Sequence, residues 1–290
     1  MRVDVTFPSG DGACAGWLYR PDGAAGDVRC VVMGHGFSLT RHDALGAYAS
    51  ALADAGYAVL VFDYRGFGAS PGEPRQRFRI GMQREDWRSA IAFARTLDGI
   101  DAQRIVLWGY SMASSSVVPV AARSSDGIAA VLVLCPFVDG LPRVLRTPPS
   151  LVASITPRAV ADLAGRHNTI PVTAAPGELG AMTFEGERQG FAMTVAPDSP
   201  WRNEISPGIF LTVGMLRPVT LAPRLRMPVW VGLGTRDITV SAKAAERLAY
   251  DAPHGELHRY PVDHFGAFTR AGIDEIAADQ VAFLRRAVPV

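Results

Sequence analysis

The chain has 290 residues, of which 48% are hydrophobic and 20% are charged, and its formal net charge is +1. This composition indicates a globular protein with a large core, and the small charge gives no reason to expect nucleic acid or an anionic membrane as a partner. The apolar runs have the length of strands, so no transmembrane helix is expected. The N-terminus lacks the apolar core of a signal peptide. Three scattered cysteines favour buried free thiols, so we expect a cytoplasmic protein without a metal site.

Strand-like and helix-like segments alternate along most of the chain. Eight segments have the apolar pattern of strands: 3–7, 15–20, 29–33, 58–62, 104–108, 129–134, 228–233 and 256–260. The first two predict an antiparallel pair, and the continuous apolar runs after them are typical of strands buried on both faces. Thr40 and Asp43 resemble a capping box at the start of the first helix. Short connections between strands and helices predict a mostly parallel eight-stranded sheet with helices on both faces.

The alternation stops between about Pro136 and Met227. Of the 21 prolines, 12 lie between Pro142 and Pro228, which argues against continued strand–helix repeats. We predict a cap at residues 137–226, inserted after strand 6 over the carboxyl edge of the sheet, and a core of residues 1–136 and 227–290. Short helices are expected near 150–165 and 198–213. Seven apolar residues argue against a disordered linker: Phe184, Phe191, Met193, Trp201, Ile205, Phe210 and Leu211.

The strand at 104–108 leads into a turn that suits a nucleophilic serine. Gly109-Tyr110-Ser111-Met112-Ala113 predicts a strand, a sharp turn and a helix, with Ser111 at the apex, the arrangement called a nucleophile elbow. The turn brings strand and helix so close together that the residues two before and two after the serine must be small. Gly109 and Ala113 meet this requirement.

A second serine, Ser70, lies in Gly68-Ala69-Ser70-Pro71-Gly72, which has glycine at both glycine positions of the Gly-x-Ser-x-Gly pattern. The segment around Ser111 has alanine at the second of these positions. An elbow nucleophile uses the N–H of the next residue to bind the developing oxyanion, and Pro71 has no N–H. Ser70 also lies beyond the nearest strand. We therefore interpret Ser70 as a turn residue.

A serine hydroxyl needs a base to remove its proton and a third group to orient that base. Of the six histidines, His264 directly follows the last strand and is the predicted base. His35, in the first glycine-rich loop, suits a structural role.

The orienting acid is predicted to be Asp237, in the loop after the penultimate strand. Asp139, after the strand that ends at Leu134, is the alternative. Asp263 is a weaker one, because a residue adjacent to the histidine has poor geometry for a bond to the far ring nitrogen. The order Ser111, Asp237, His264 is that of α/β-hydrolases.

Two backbone N–H groups are expected to form the oxyanion hole. Met112 supplies one, and the loop after the third strand points to Phe37 for the other. Each donor is typically worth about 3 kcal/mol of transition-state stabilisation. Asp63 and Arg65 are expected to tie their glycine-rich loop together by hydrogen bonds.

These residues give the chain a resemblance to the α/β-hydrolase superfamily. The resemblance rests on five groups: Gly34-His35-Gly36-Phe37, Asp63-Tyr64-Arg65-Gly66-Phe67-Gly68-Ala69-Ser70, Gly109-Tyr110-Ser111-Met112-Ala113, Asp237 and His264. Within the superfamily the chain is similar to serine hydrolases of the dienelactone-hydrolase-like and dipeptidyl-peptidase-like group, including polyketide thiohydrolases and transferases. A serine nucleophile separates it from true dienelactone hydrolases, which use cysteine, and from epoxide hydrolases and dehalogenases, which use aspartate.

The resemblance implies a serine hydrolase that cleaves an ester or thioester through an acyl-enzyme on Ser111, without a cofactor. An acyltransferase with the same triad is the alternative, and a peptidase, an amidase or a non-catalytic binding protein is less favoured. The apolar residues of the cap suggest a largely hydrophobic, small-molecule acyl substrate. The sequence leaves a homodimer open.

Overall fold

The computed structural model describes residues 1–23, 26–123 and 126–289. Its strands form one eight-stranded sheet in the order β1-β2-β4-β3-β5-β6-β7-β8. The strands are β1 (Arg2–Ser9), β2 (Gly12–Tyr19), β3 (Val28–Gly34), β4 (Ala58–Phe62), β5 (Ile100–Tyr110), β6 (Ile128–Leu134), β7 (Val229–Gly234) and β8 (Gly255–Tyr260).

Only the first strands of the sheet run antiparallel to their neighbours. β1 pairs antiparallel with β2, and β2 pairs antiparallel with β4. Every pair from β4 through β3, β5, β6 and β7 to β8 is parallel. The predicted mostly parallel, eight-stranded sheet is confirmed. Parallel strands place their carboxyl ends at one edge, so the loops after β3, β5, β7 and β8 gather there.

Helices cover both faces of this sheet. They are α1 (Leu45–Asp54), α2 (Ile80–Ala94), α3 (Ser114–Arg123), α4 (Leu141–Arg146), α5 (Pro149–Leu163), α6 (Glu187–Thr194), α7 (Ala242–Asp251) and α8 (Arg270–Ala287). Trp108 of β5 packs against Tyr48 of α1 and donates a 2.9 Å hydrogen bond to Gln280 of α8. A Cβ on the next residue, Gly109, would instead lie 2.9 Å from Val117 of α3. Because successive strand residues point to opposite faces, α1 and α8 cover one face and α3 covers the other.

The first helix begins later than the capping-box pattern predicts. The N–H and hydroxyl of Thr40 both donate to Asp43, each at 2.8 Å, but these bonds close a turn. Helix α1 begins at Leu45, after Ala44 with a φ of +61°. The expectation that Thr40 starts the helix is therefore wrong.

Residues 137–226, which we call the cap, connect β6 to β7. The predicted helix near 150–165 is α5, whereas α4 and α6 were not predicted. The short helical segments found near 198–213 are the 3₁₀ turns Pro207–Leu211 and Val213–Met215. The residues before them are not helical, since Ile205 forms a bridge with Ile170. Phe191 and Ile205 are buried. The division of the chain into core and cap domains stays a prediction.

Within the described residues, no helix has both the length and the apolarity needed to cross a membrane. The cysteines Cys14, Cys30 and Cys135 are free and buried. The cytoplasmic location and the homodimer stay predictions.

Candidate active site

Ser111 lies at the apex of a strained turn between β5 and α3. Its φ is +52°, a conformation that costs a non-glycine residue about 1–2 kcal/mol. The turn continues as the 3₁₀ segment Ser111–Ala113 before α3 begins. A Cβ on Gly109 would lie 3.4 Å from the Cβ of Ala113, in addition to its close approach to Val117. Strand and helix therefore meet as closely as the small residues around the serine predict.

The loops after β7 and β8 bring an acid and a base to this turn. His264 Nε2 lies 3.0 Å from Ser111 Oγ, and His264 Nδ1 lies 2.7 Å from Asp237 Oδ2. The side chain of Asp237 is fully buried, and that of His264 is 3% exposed. Tyr110 fixes the backbone of the histidine, since its hydroxyl donates to the His264 carbonyl at 2.9 Å. The three predicted residues thus form one continuous hydrogen-bonded chain.

The protein holds Asp237 as a carboxylate. Its Oδ1 accepts hydrogen bonds from the N–H groups of Thr239 at 2.8 Å and Val240 at 3.1 Å. Burial acts to raise the pKa of Asp237, but the neighbouring His264 and these backbone donors outweigh burial and hold it below its usual value. A charged, fixed acid is suited to orient the imidazole and to stabilise its protonated form.

Cys135, at the carboxyl end of β6, is a neighbour of Asp237 that the sequence did not indicate. Burial, followed by the charge of Asp237, raises the pKa of this thiol well above its usual value, so it stays neutral. Among the described residues, Cys135, Asp237 and His264 are the one group close enough together to share a metal ion. Both nitrogens of His264 already face hydrogen-bond partners, and the thiol is protonated, so the arrangement suits a catalytic triad better than a metal site.

Ser70, the alternative serine, has a structural role. Ser70 is completely buried, and its hydroxyl donates to the Asp63 carbonyl at 2.6 Å and accepts from the Ala15 N–H at 2.8 Å. These bonds tie the loop after β4 to strand β2.

The competing acids also bond elsewhere. Asp139 pairs with Arg217 at 3.1 Å. Asp263 Oδ1 accepts from the backbone N–H groups of Phe265 and Gly266, at 3.0 Å and 2.6 Å. The structure brings neither carboxylate into hydrogen-bond contact with His264.

The charged residues of the glycine-rich loops organise the backbone around the site. Asp63 accepts from the N–H groups of Arg41 at 2.6 Å and Ala69 at 3.0 Å. Burial, opposed by a hydrogen bond to the Gly36 carbonyl, lowers the pKa of His35 to about 4, so this ring is neutral. Arg65 differs from its expected role within the loop, because its guanidinium bonds to Asp11, Glu85 and Asp86 on other elements.

An apolar pocket opens beside Ser111, under the cap. Its empty volume is about 1010 Å³, a figure that includes the space open to solvent. Phe37 and Met112, the predicted oxyanion donors, line it together with Ser111. The wall on the cap side is mostly apolar and includes Leu151, Ile155, Met182, Phe184, Ile209 and Phe210. The hydroxyl of Ser111 therefore lies beside an apolar pocket.

Comparisons with known proteins agree with this architecture. Quorum-quenching protein AidA from Acinetobacter baumannii (strain MDR-ZJ06) is 33% identical over 293 residues, covering 99% of this chain and 96% of AidA. Thiohydrolase aneE from Aspergillus aculeatus is 27% identical, covering 61% of this chain and 56% of its own length. Polyketide transferase grgF from Penicillium sp. is 30% identical over 54% of this chain and 53% of its own.

A solved structure extends the similarity to the whole fold. The crystal structure of the α/β hydrolase GrgF from Penicillium sp. sh18 superimposes with a TM-score of 0.84 at 20% identity, covering 100% of both chains. A family model described as "Hydrolase_4: Serine aminopeptidase, S33" matches residues 27–262, from the start of the parallel sheet to the loop that carries His264. The chain belongs to this family of α/β hydrolases.

Proposed function

We propose that the protein is a serine hydrolase that cleaves an ester or thioester of a largely hydrophobic acyl group. The observation that carries the proposal is the chain from Ser111 Oγ through His264 to Asp237, with contacts of 3.0 Å and 2.7 Å, at the wall of an apolar pocket. A hydroxyl in contact with a base that is itself oriented by an acid is the arrangement of an activated nucleophile.

In the proposed mechanism Ser111 Oγ attacks the acyl carbon while His264 Nε2 takes its proton. Asp237 keeps the imidazole in the tautomer with a free Nε2 and stabilises its charge once protonated. The N–H groups of Phe37 and Met112 bind the oxyanion of the tetrahedral intermediate, each contributing about 3 kcal/mol. His264 then protonates the leaving group, and a water molecule, activated by the same base, releases the acyl group from Ser111.

The pocket supports a hydrophobic acyl group as the substrate part nearest the serine. Its wall is built largely from leucine, isoleucine, methionine and phenylalanine side chains of the cap. Burying an apolar chain here gains roughly 25 cal/mol for each Å² removed from water. The name of one relative, a thiohydrolase, supports a thioester as the bond attacked. AidA, which matches 99% of this chain, is named a quorum-quenching protein. Quorum-sensing signal molecules therefore belong among the substrates to be assayed.

The second candidate is an acyltransferase that uses the same residues. Relatives named polyketide transferases favour it, since the acyl-enzyme is common to both activities and only the acceptor differs. The family description also names an aminopeptidase, so amides are a third substrate class.

The test measures turnover of aryl esters, acyl thioesters and aminoacyl amides with acyl chains of increasing length. Turnover is expected to favour esters or thioesters and to rise as the chain becomes long enough to fill the pocket. S111A is expected to lower kcat by about a million-fold. Added alcohols and amines then separate the two activities: hydrolysis gives only free acid, whereas transfer diverts product to the acceptor. Undiminished turnover by folded S111A would contradict the proposal.

A further inference from the structure

A buried ion pair in the cap lies directly behind the loop that carries the acid of the triad. Glu187, the first residue of α6, has a side chain that is 1% exposed, and that of Arg143 in α4 is 14% exposed. Arg143 donates to both carboxylate oxygens, with Nη2 at 2.9 Å from Oε2 and Nη1 bonded to Oε1. Such bidentate pairs fix geometry as well as contribute energy. The pair therefore holds Glu187 in one orientation.

The same carboxylate reaches out of the cap to the core. Glu187 Oε1 accepts a hydrogen bond from the hydroxyl of Thr239 at 3.1 Å. The backbone N–H of Thr239 donates to Asp237 Oδ1 at 2.8 Å. Thr239 is thus bound by its hydroxyl to the cap and by its N–H to the triad acid, and it is itself buried.

We propose that Glu187 is a positioning residue that fixes the acid loop (residues 237–240) from the cap side, so that the alignment of the triad depends on the seating of the cap. This inference rests on the proposed function, because it assumes that Asp237 orients His264. Arg143 also lines the substrate pocket and lies 3.8 Å over the ring of Phe184. An acyl group that fills the pocket therefore lies against the group that orients Glu187.

The proposal differs from a purely structural role for the ion pair. If Arg143 and Glu187 only held the cap together, the hydroxyl of Thr239 would add nothing to turnover. T239V removes this hydroxyl and keeps both the ion pair and the N–H that binds Asp237. T239S restores a hydroxyl at the same place. A misplacement of catalytic groups by about 1 Å can cost about 100-fold in rate.

The experiment compares kcat and KM of these variants on one aryl ester, with thermal unfolding measured in parallel. T239V is expected to lower kcat by about 10- to 100-fold, and T239S is expected to recover most of the loss. Because Thr239 also lines the pocket, kcat and not KM decides the comparison. T194V is the matched control, since Thr194 is a buried cap threonine whose hydroxyl bonds within its own helix to the Phe191 carbonyl at 2.7 Å. It should retain kcat.

A second variant tests the other end of the link. E187Q replaces one carboxylate oxygen by an NH₂ group that cannot accept from Arg143, so it loosens the orientation of residue 187 and is expected to lower kcat. T239V combined with E187Q should cost less than the sum of the two single losses, because both act on Asp237 through Thr239. Asp162 provides the control: its buried carboxylate pairs the cap with Arg79 at 2.8 Å and does not reach the acid loop. D162N should lower the melting temperature and leave kcat near that of the wild type.

The outcomes separate this inference from the proposed function. Wild-type kcat in T239V, or losses in T194V and D162N as large as those in T239V and E187Q, would overturn the positioning role, and so would failure of T239S to recover activity. S111A, measured alongside, reports on the proposed function alone: if it stays active, the triad itself is wrongly assigned.

Discussion

Replacing Asp237 by asparagine should exchange the donor and acceptor roles of the two ring nitrogens of His264, the proposed base. One oxygen of Asp237 accepts from the N–H groups of Thr239 and Val240, and the other faces His264 Nδ1 at 2.7 Å. In D237N the amide oxygen must stay with the two backbone donors, because an NH₂ group there would leave them without an acceptor. The amide NH₂ then faces Nδ1, which has to accept its hydrogen bond. The ring proton moves to Nε2, and Nε2 can no longer take the proton of Ser111.

This change of tautomer removes general-base catalysis, although all three side chains of the site keep their size and place. A loss of about 10⁴ in kcat is expected, as for the same substitution in other triads, which corresponds to about 5.5 kcal/mol of transition-state stabilisation. The assay is steady-state hydrolysis of an aryl ester, with thermal unfolding to confirm that the variant is folded. KM should change little, since Asp237 lies behind the histidine.

D139N is the matched control. Asp139 follows β6, where the alternative acid would stand, but its carboxylate pairs with Arg217 at 3.1 Å. The variant should keep near-wild-type kcat. If D237N stays active, or if D139N shows the loss expected of D237N, the assignment of the acid is refuted.

Further predictions concern stability and reactivity. Burial lowers the pKa of His35 to about 4, so its contribution to stability is present above pH 6.5 and lost as the pH falls from 6.5 to 4. Relative to H35Q, the wild type should lose about 3 kcal/mol of unfolding free energy over this range in urea titrations, whereas equal losses in both proteins would contradict the neutral ring. Burial raises the pKa of Asp63 to about 6, which acts in the opposite direction in both proteins. G109V should destabilise the fold by about 1–3 kcal/mol through overpacking, because a Cβ there lies 2.9 Å from Val117; unchanged urea unfolding would refute the crowding argument. The three buried thiols are those of Cys14, Cys30 and Cys135. They should react with a thiol reagent only after denaturation, and rapid labelling of the folded protein would contradict their burial.

The fold was predictable because its signals are local. A continuous apolar run such as Val229–Gly234 forms a strand that is buried on both faces of the sheet. The run is apolar throughout because both faces are buried. The position of a loop after a given strand also follows from chain order, which is why His264 and Asp237 could be placed beside Ser111. The first residue of helix α1 could not be predicted from the sequence, since Thr40 and Asp43 form the same hydrogen bond in a turn as at a helix start.

The rest depends on contacts between residues far apart in the chain. Glu187 meets Thr239 at a separation of 52 residues, and no local pattern marks either residue. Helices α4 and α6 are short and held by such contacts, so their own periodicity is too weak to predict them. The sequence shows Cys135 only as one of three scattered thiols, because its position beside Asp237 exists only once the sheet is assembled.

Active-site labelling of the nucleophile tests the central claim most directly. The folded protein should react with a fluorophosphonate to give one covalent adduct, which peptide mass spectrometry locates on Ser111, and S111A should remain unlabelled. Absence of an adduct on the folded protein, or an adduct on Ser70 instead, would contradict the account.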